Sequence, residues 1–241
     1  MTLELLVSCM HQKDDSLLRK SCITSDAVVI NQCDQDQYHE YLTEHGTARV
    51  LSTTQRGLTK SRNMAIRNAR ADVCLLCDDD EVFVPNYEQK VLSAYENLPQ
   101  ADVIIFKMVN RPPSFPDRIQ ELKFPKTMKV SSWQISFRRQ RLLDSGVRFD
   151  ELLGAGTGNG AEEELKFLLD CEKAGLKMYT FPQKLPVWDR SSPHGSLGLQ
   201  RLFLKTEVPL PDTYWGLFRQ LHTRFIMLSE RKNCTRVRSP R

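Results

Sequence analysis

Val73-Cys74-Leu75-Leu76-Cys77-Asp78-Asp79-Asp80-Glu81 sets five uncharged residues directly against four consecutive acids. A short uncharged run bounded by charge reads as a strand buried on both faces, as in parallel sheets covered by helices. In open α/β sheets of that kind, ligands gather at the carboxyl ends of the strands. Carboxylates crowded there repel one another until something positive sits between them. A divalent cation with oxygen ligands meets that need, and a metal held by one or two carboxylates commonly shares its other positions with substrate phosphates. The stretch therefore predicts Mg²⁺ or Mn²⁺ and a nucleotide diphosphate.

Asp78 and Asp80 are two apart and project to one side if strand geometry persists. That suits one carboxylate directed to a ribose or base and one to a metal bridging two phosphates. The bland alternative is a solvated acidic loop. A phosphatase with an aspartyl nucleophile also follows a strand with DxD, but on its first strand and with Thr or Val next, where this chain has Glu81.

Working outward, Leu3 to Ser8, Asp26 to Asn31, Arg49 to Ser52, Asp72 to Cys77 and Ala101 to Phe106 read as strands. Leu58 to Arg70 and Pro85 to Asn97 read as helices, the second with Pro near its start, where it is tolerated. Strand–helix alternation of this kind predicts a mostly parallel central sheet with helices on both faces. Beyond residue 110 the pattern changes. Arg111 to Lys126 holds four prolines and reads as a loop, and Val130 to Arg138 as a strand. Leu152 to Gly160 carries four glycines and opens into a helix over Ala161 to Ala174, closed by Gly175. Lys177 to Phe181 is a late strand. The expected division is 1–110 as a nucleotide-binding half, 111–200 as an acceptor-binding half of the same domain, and 201–241 as a helical basic tail.

Composition sets the outer bounds. With 241 residues, 40% hydrophobic and 27% charged, the chain is an ordinary globular protein with enough length for a large core. No stretch reaches the ~20 apolar residues of a membrane helix. Met1 to Met10 lacks a basic leader and a small-residue cleavage site, so a cytoplasmic protein is expected. The seven cysteines are odd in number and scattered, which fits reduced, buried thiols. Cys74 and Cys77 form a CxxC, but positions three apart on a strand point to opposite faces, which favours packing over zinc or redox chemistry. The net charge of +4 is uneven: Trp215 to Arg241 holds seven Lys/Arg and one acid. Tyr214 to Leu228 mixes aromatic, aliphatic and basic residues at helical spacing. That tail is either a closing helix or an amphipathic helix at the inner face of a membrane.

Gln55 to Ala65 looks like a loop passing into a helix. Arg56, Lys60 and Arg62 are donors suited to a diphosphate or to a nearby acid, and Asn63 could bond a base or ribose. Positive charge at a helix N-terminus opposes the dipole, which weakens a purely structural reading. In Gly154-Ala155-Gly156-Thr157-Gly158-Asn159-Gly160-Ala161-Glu162-Glu163-Glu164, glycines let backbone approach a ligand closely and acids occupy a first helical turn. The dipole there is expected to keep the acid ionised at neutral pH. Trp133 and Trp188 could stack on sugar rings or pack in the core.

Taken together, Val28 to Cys33, Arg56 to Ala65, Leu75 to Asp80 and the opening Val7 to Gln12 resemble family 2 glycosyltransferases, nearest to the bacterial group associated with capsule and other surface polysaccharides. The resemblance implies a GT-A fold, a nucleotide-sugar donor such as a UDP-sugar, a divalent metal (Mn²⁺ or Mg²⁺) and an inverting transfer to a glycan or lipid-linked glycan hydroxyl. It places Asp78 and Asp79 on the donor side and Asp80, with Asp78, at the metal. Asn31 stands where many members hold the base with Asp. It makes the Glu162–Glu163–Glu164 group the source of the general base, with Glu163 or Glu164 favoured. His194 becomes a third contact near metal and diphosphate, and His11 with Gln12 lines the nucleotide pocket.

Two other readings stand beside it. A sugar nucleotidyltransferase shares the sheet and the metal but needs a glycine-rich phosphate loop after the first strand, where Cys9 to Lys13 has no glycine. A non-catalytic partner subunit keeps the fold without the chemistry, against which the intact acids and Arg62 speak.

Overall fold

The computed structural model describes residues 1–109, 115–157 and 159–188. In chain order these form β1 (Leu3–Met10), α1 (Ser16–Lys20), β2 (Asp26–Gln32), β3 (Gln37–Leu42), β4 (Thr47–Thr53), α2 (Leu58–Asn68), β5 (Val73–Asp78), β6 (Glu81–Phe83), α3 (Tyr87–Asn97), β7 (Val103–Lys107), β8 (Gln120–Glu121), β9 (Ile135–Arg138), α4 (Arg139–Ser145), α5 (Glu163–Lys173), β10 (Met178–Lys184) and β11 (Pro186–Trp188). The tail from residue 201, with its aromatic and basic stripe, and His194 lie outside the described residues.

The main sheet runs in the order β3-β4-β2-β1-β5-β9-β7-β10-β8. The expected parallel blocks are present as β4-β2-β1-β5 and β7-β10. Between them β9 lies antiparallel to both β5 and β7, and antiparallel β3 and β8 close the two edges, so the sheet as a whole is mixed. Val130 to Arg138 is strand only over β9; Ser132–Gln134 before it is a single 3₁₀ turn. The arrangement is the α/β GT-A architecture, with helices on both faces of the sheet.

Alternation along the strands sorts the core. Leu3, Leu5, Val7, Val73, Leu75 and Cys77 face one side and pack with Tyr87, Val91, Ala94 and Tyr95 of α3. Leu6, Val28, Ile30, Cys74 and Leu76 face the other and pack with Ala65 and Ile66 of α2 and Phe167, Leu168 and Cys171 of α5. Each fully buried Val, Leu, Ile or Phe side chain among these contributes ~1.5–3 kcal/mol by leaving water. The CxxC thus splits across the sheet as its spacing requires, and burial pushes both thiols well above the ordinary cysteine range. Among the described residues no helix is long and apolar enough to cross a membrane.

Register then sets the site. Cys9 lies beside Asn31 and Ser8 beside Asp78, so β1, β2 and β5 end together on one edge. At the opposite end of β1, buried Glu4 accepts from Arg49 Nη2 at 2.6 Å and from the Arg70 amide at 2.7 Å.

Candidate active site

Asp78 closes β5 at the edge of the sheet where β1, β2 and β5 end together. Its carboxylate accepts from Ser132 Oγ at 2.8 Å and from Arg62 Nη2 at 3.2 and 3.4 Å. The Ser132 turn is itself fixed: the Ser131 amide donates to Gln134 Oε1 at 3.0 Å, and Gln134 Nε2 donates to the Phe106 carbonyl at 2.8 Å. The sequence reading missed Ser132, although Ser131 and Gln134 carry the spacing of a capping box that could have flagged the turn.

Arg62 comes from α2, whose buried face is unusually polar: Thr59, Ser61, Arg62 and Asn63 are buried along with Ala65 and Ile66. The helix start is held by its neighbours. Gly57, at φ 123°, turns the chain in a conformation that other residues avoid, and its amide donates to Gln32 Oε1 at 2.8 Å. The Leu58 amide donates to the Ala155 carbonyl at 3.1 Å, and Thr59 Oγ1 to the Leu153 carbonyl at 2.9 Å. The glycine-rich loop therefore satisfies one orphan backbone donor of α2, the Leu58 amide, and lies directly on the helix start.

That loop leads into α5, and α5 returns two carboxylates to Arg62. Nη1 lies 3.0 Å from Glu164 Oε1 and 3.6 Å from Glu163 Oε1. The guanidinium stands 5.4 Å from the centre of the Phe149 ring, which stacks on Phe167 at 4.3 Å. Arg62 is only 2% exposed. Burial works against its charge, but Asp78, Glu164 and Glu163 outweigh burial and hold it firmly protonated. Three acids around one cation leave the cluster negative.

Two acids show how strong that field is. Glu163 is buried, and its pKa is pushed up to about 7, by burial first and then by Glu164, with Arg62 opposing. This corrects the expectation that the helix dipole keeps the group ionised: desolvation and a neighbouring like charge outweigh the dipole. Glu81, on β6, is 1% exposed, and among the described residues neither carboxylate oxygen has a hydrogen-bond partner. Burial, then Asp78 and Asp80, pushes it well above the usual carboxylate range.

The other candidates divide. Asp79 and Asp80 are half-buried at the turn after β5, and Glu162 is half-buried beside Glu163. Glu162 holds φ 77° at the N-cap of α5, a left-handed conformation that costs a non-glycine residue ~1–3 kcal/mol and is retained most often at working sites. His11, at φ 52°, is exposed at the end of β1 with its amide donating to the Gln32 carbonyl at 3.1 Å. Arg56 is exposed and pairs with Asp34 at 2.9 Å, and Lys60 is exposed on the first turn of α2.

One expectation resolves and two change. Of the two partners expected for Arg62, a diphosphate or a nearby acid, the structure shows the acids. Asn63 is buried: its Nδ2 donates to the Phe149 carbonyl at 2.9 Å and to Glu151 at 3.1 Å, which occupies the donors expected to meet a base or ribose. Asn31 is buried as well, and its amide is bonded to Gln12 and Ser52. Trp133 is half-buried in the Ser132 turn, and nothing is described of the Trp188 side chain.

A metal site can be judged from the donor set. Asp78 and Asp80 offer hard carboxylate oxygens at a turn whose negative field is registered by Glu81. Among the described residues no three His, Cys, Asp or Glu side chains converge as a closed cage. Two carboxylates with open positions suit a divalent ion that completes its shell with substrate phosphates.

Comparison with known proteins agrees with this geometry. The sequence model of glycosyl transferase family 2 matches residues 13–151. An uncharacterised glycosyltransferase of Haemophilus influenzae is 25% identical over 91 residues, a match covering 37% of this chain and 31% of that protein. S. aureus TarS 1–349 in complex with UDP superimposes with a TM-score of 0.57 at 19% identity, covering 78% of this chain and 60% of that one. Its complex with UDP-GlcNAc gives 0.57 at 20% identity, covering 78% and 58%. The chain thus spans under two thirds of each of these relatives. At such identities the structural likeness speaks to the fold.

Proposed function

We propose that this chain, which belongs to glycosyl transferase family 2, transfers a sugar from a UDP-sugar to a hydroxyl of a glycan acceptor, with inversion, in bacterial surface polysaccharide synthesis. The observation that carries the reading is the meeting of Asp78, from the end of the central strand, with Glu163 and Glu164, from the second half of the chain, across one buried guanidinium. A donor acid and an acceptor acid are thereby held side by side at the sheet edge where ligands of this fold bind. The UDP and UDP-GlcNAc complexes of TarS support the choice of donor.

In this reading residues 1–110 hold the donor and 111–200 the acceptor. Asp78 and Asp79 face the nucleoside, with His11 at the mouth of the pocket, and Arg56 and Lys60 are the exposed cations available to phosphate. Asp80, with Asp78, would hold Mn²⁺ or Mg²⁺, and His194 is proposed beside them. Such an ion, when bound, stabilises the charge that develops on the departing diphosphate. An acid of the Glu162–Glu163–Glu164 group takes the proton from the acceptor hydroxyl, whose oxygen attacks the anomeric carbon as the bond to the diphosphate breaks. Glu164 is the more exposed of the two acids bound to Arg62, at 18% against 9% for Glu163, and is the better placed of that pair. One displacement needs one base, and it inverts the centre. The basic tail would serve a contact with anionic lipid, where a lipid-linked acceptor resides.

The test is release of UDP from a panel of UDP-sugars with Mn²⁺ and candidate acceptors. Asp80→Ala is expected to abolish metal-dependent turnover. Turnover that survives in this variant, or a wild-type protein inert to every donor, would overturn the reading.

A further inference from the structure

Arg62 spends its charge in an odd way for a surface-helix residue. It is 2% exposed, and its two terminal nitrogens divide between opposite walls of the site: Nη2 to Asp78 at 3.2 Å, Nη1 to Glu164 at 3.0 Å. Phe149 lies under the guanidinium plane at 5.4 Å and is itself clamped by Phe167. The chain segments that carry Asp78 and Glu164, far apart in sequence, are therefore joined through one planar fork.

Stability alone gives a poor account of this cluster. Buried ion pairs recover their desolvation cost only when geometry and charge balance are good, and here three carboxylates surround one cation. An apolar core would hold the same elements together without that cost. Contact with the diphosphate is no better an account, because the side chain is enclosed and already committed to acids. What the fork does supply is a fixed separation and orientation between a donor-side and an acceptor-side carboxylate. A lysine could supply the charge but only one compact point of contact.

We infer that Arg62 is a positioning residue, seated on Phe149, that sets the spacing between Asp78 and Glu164 and so aligns the donor with the group that activates the acceptor. This rests on the transferase reading above.

The experiment compares wild type, Arg62→Lys and Phe149→Leu by steady-state kinetics with the best UDP-sugar and acceptor, together with thermal melting. Misalignment of reacting groups by ~1 Å costs on the order of 100-fold in rate. Arg62→Lys is accordingly expected to lower kcat by about that factor while the donor KM stays within ~3-fold. Phe149→Leu keeps every charge and removes the ring under the guanidinium, so it should reproduce the same kcat-selective loss at smaller amplitude. If Arg62→Lys does not fold, Phe149→Leu decides alone. A raised KM with kcat held would make Arg62 a donor ligand and sink the inference. A lowered melting temperature with both constants held, per folded molecule, would make it a structural residue and sink it equally. A wild type inert to every donor fails the transferase reading itself, and this inference falls with it.

Discussion

Asn31 and Gln12 close a reciprocal pair: the Gln12 amide donates to Asn31 Oδ1 at 2.9 Å, and Asn31 Nδ2 donates to the Gln12 carbonyl at 2.9 Å. A carboxylate at 31 could accept the first bond but could not donate the second. Asn31→Asp would therefore set a buried charge against a carbonyl oxygen. The expected cost is about 1–3 kcal/mol, read as a melting temperature several degrees lower, with weaker UDP binding as the loop after β1 loosens. An unchanged melting temperature would show that the pair does not hold that loop.

Gly154 is expected to tolerate no side chain. Its φ is +94°, and a Cβ there would lie 3.1 Å from Thr59 Cγ2 and 3.4 Å from the Glu163 carboxyl carbon. Gly154→Ala should cost roughly 1–3 kcal/mol in stability and displace Glu163. Activity per folded molecule should fall too; full activity would separate this loop from the chemistry.

The raised pKa of Glu163 fixes a pH dependence. The folded-state value of about 7 exceeds the ordinary glutamate value of 4.5, so the native protein binds the extra proton between those limits. Stability contributed by this group is therefore full below about pH 4.5, declines as pH rises towards about 7, and is flat beyond. Glu163→Gln stays neutral throughout. It should melt above wild type at pH 8 by an amount on the order of 1–2 kcal/mol, with the gap closing towards pH 4.5. A gap that does not change with pH would refute the assignment.

Glu4 and Arg49 provide a contrast away from the site. Both are buried and 2.6 Å apart. Glu4→Ala, which leaves Arg49 uncompensated, should cost about 3–5 kcal/mol, whereas replacing the pair with Leu and Met should recover most of it. In either variant kcat per folded molecule should match wild type. A selective loss of kcat would mean that this edge communicates with the acids.

How much of this was legible in the sequence follows from how local each signal is. Val73 to Asp78 announced itself because burial on both faces leaves an uncharged run, and the acids at its end marked the working edge. β3 was missed because an edge strand exposed on both faces keeps a polar sequence: Gln37-Tyr38-His39-Glu40-Tyr41-Leu42 shows no alternation that points to a core. The direction of β9 could not be read, since apolar content says nothing of orientation. Arg62 was seen as a donor to a diphosphate or to a nearby acid, and the sequence could not choose between them. Beside Arg56 and Lys60 it looks like part of a surface cluster, and only the return of Phe149, Glu163 and Glu164 buries it. Nothing in the run of four acids set Glu81 apart, although it alone of the four is buried, at 1% exposed.

The placement of β9 bears on how this molecule could be re-engineered. Its four residues pair with β5 on one side and β7 on the other, so the strand that joins the two parallel blocks is encoded after β7 and well beyond residue 110. A chimera cut at residue 110, meant to trade one acceptor module for another, would leave a slot in the middle of its own sheet. Recombination that keeps the scaffold whole must carry the crossover past Arg138, or import a substitute strand whose side chains fit both neighbours.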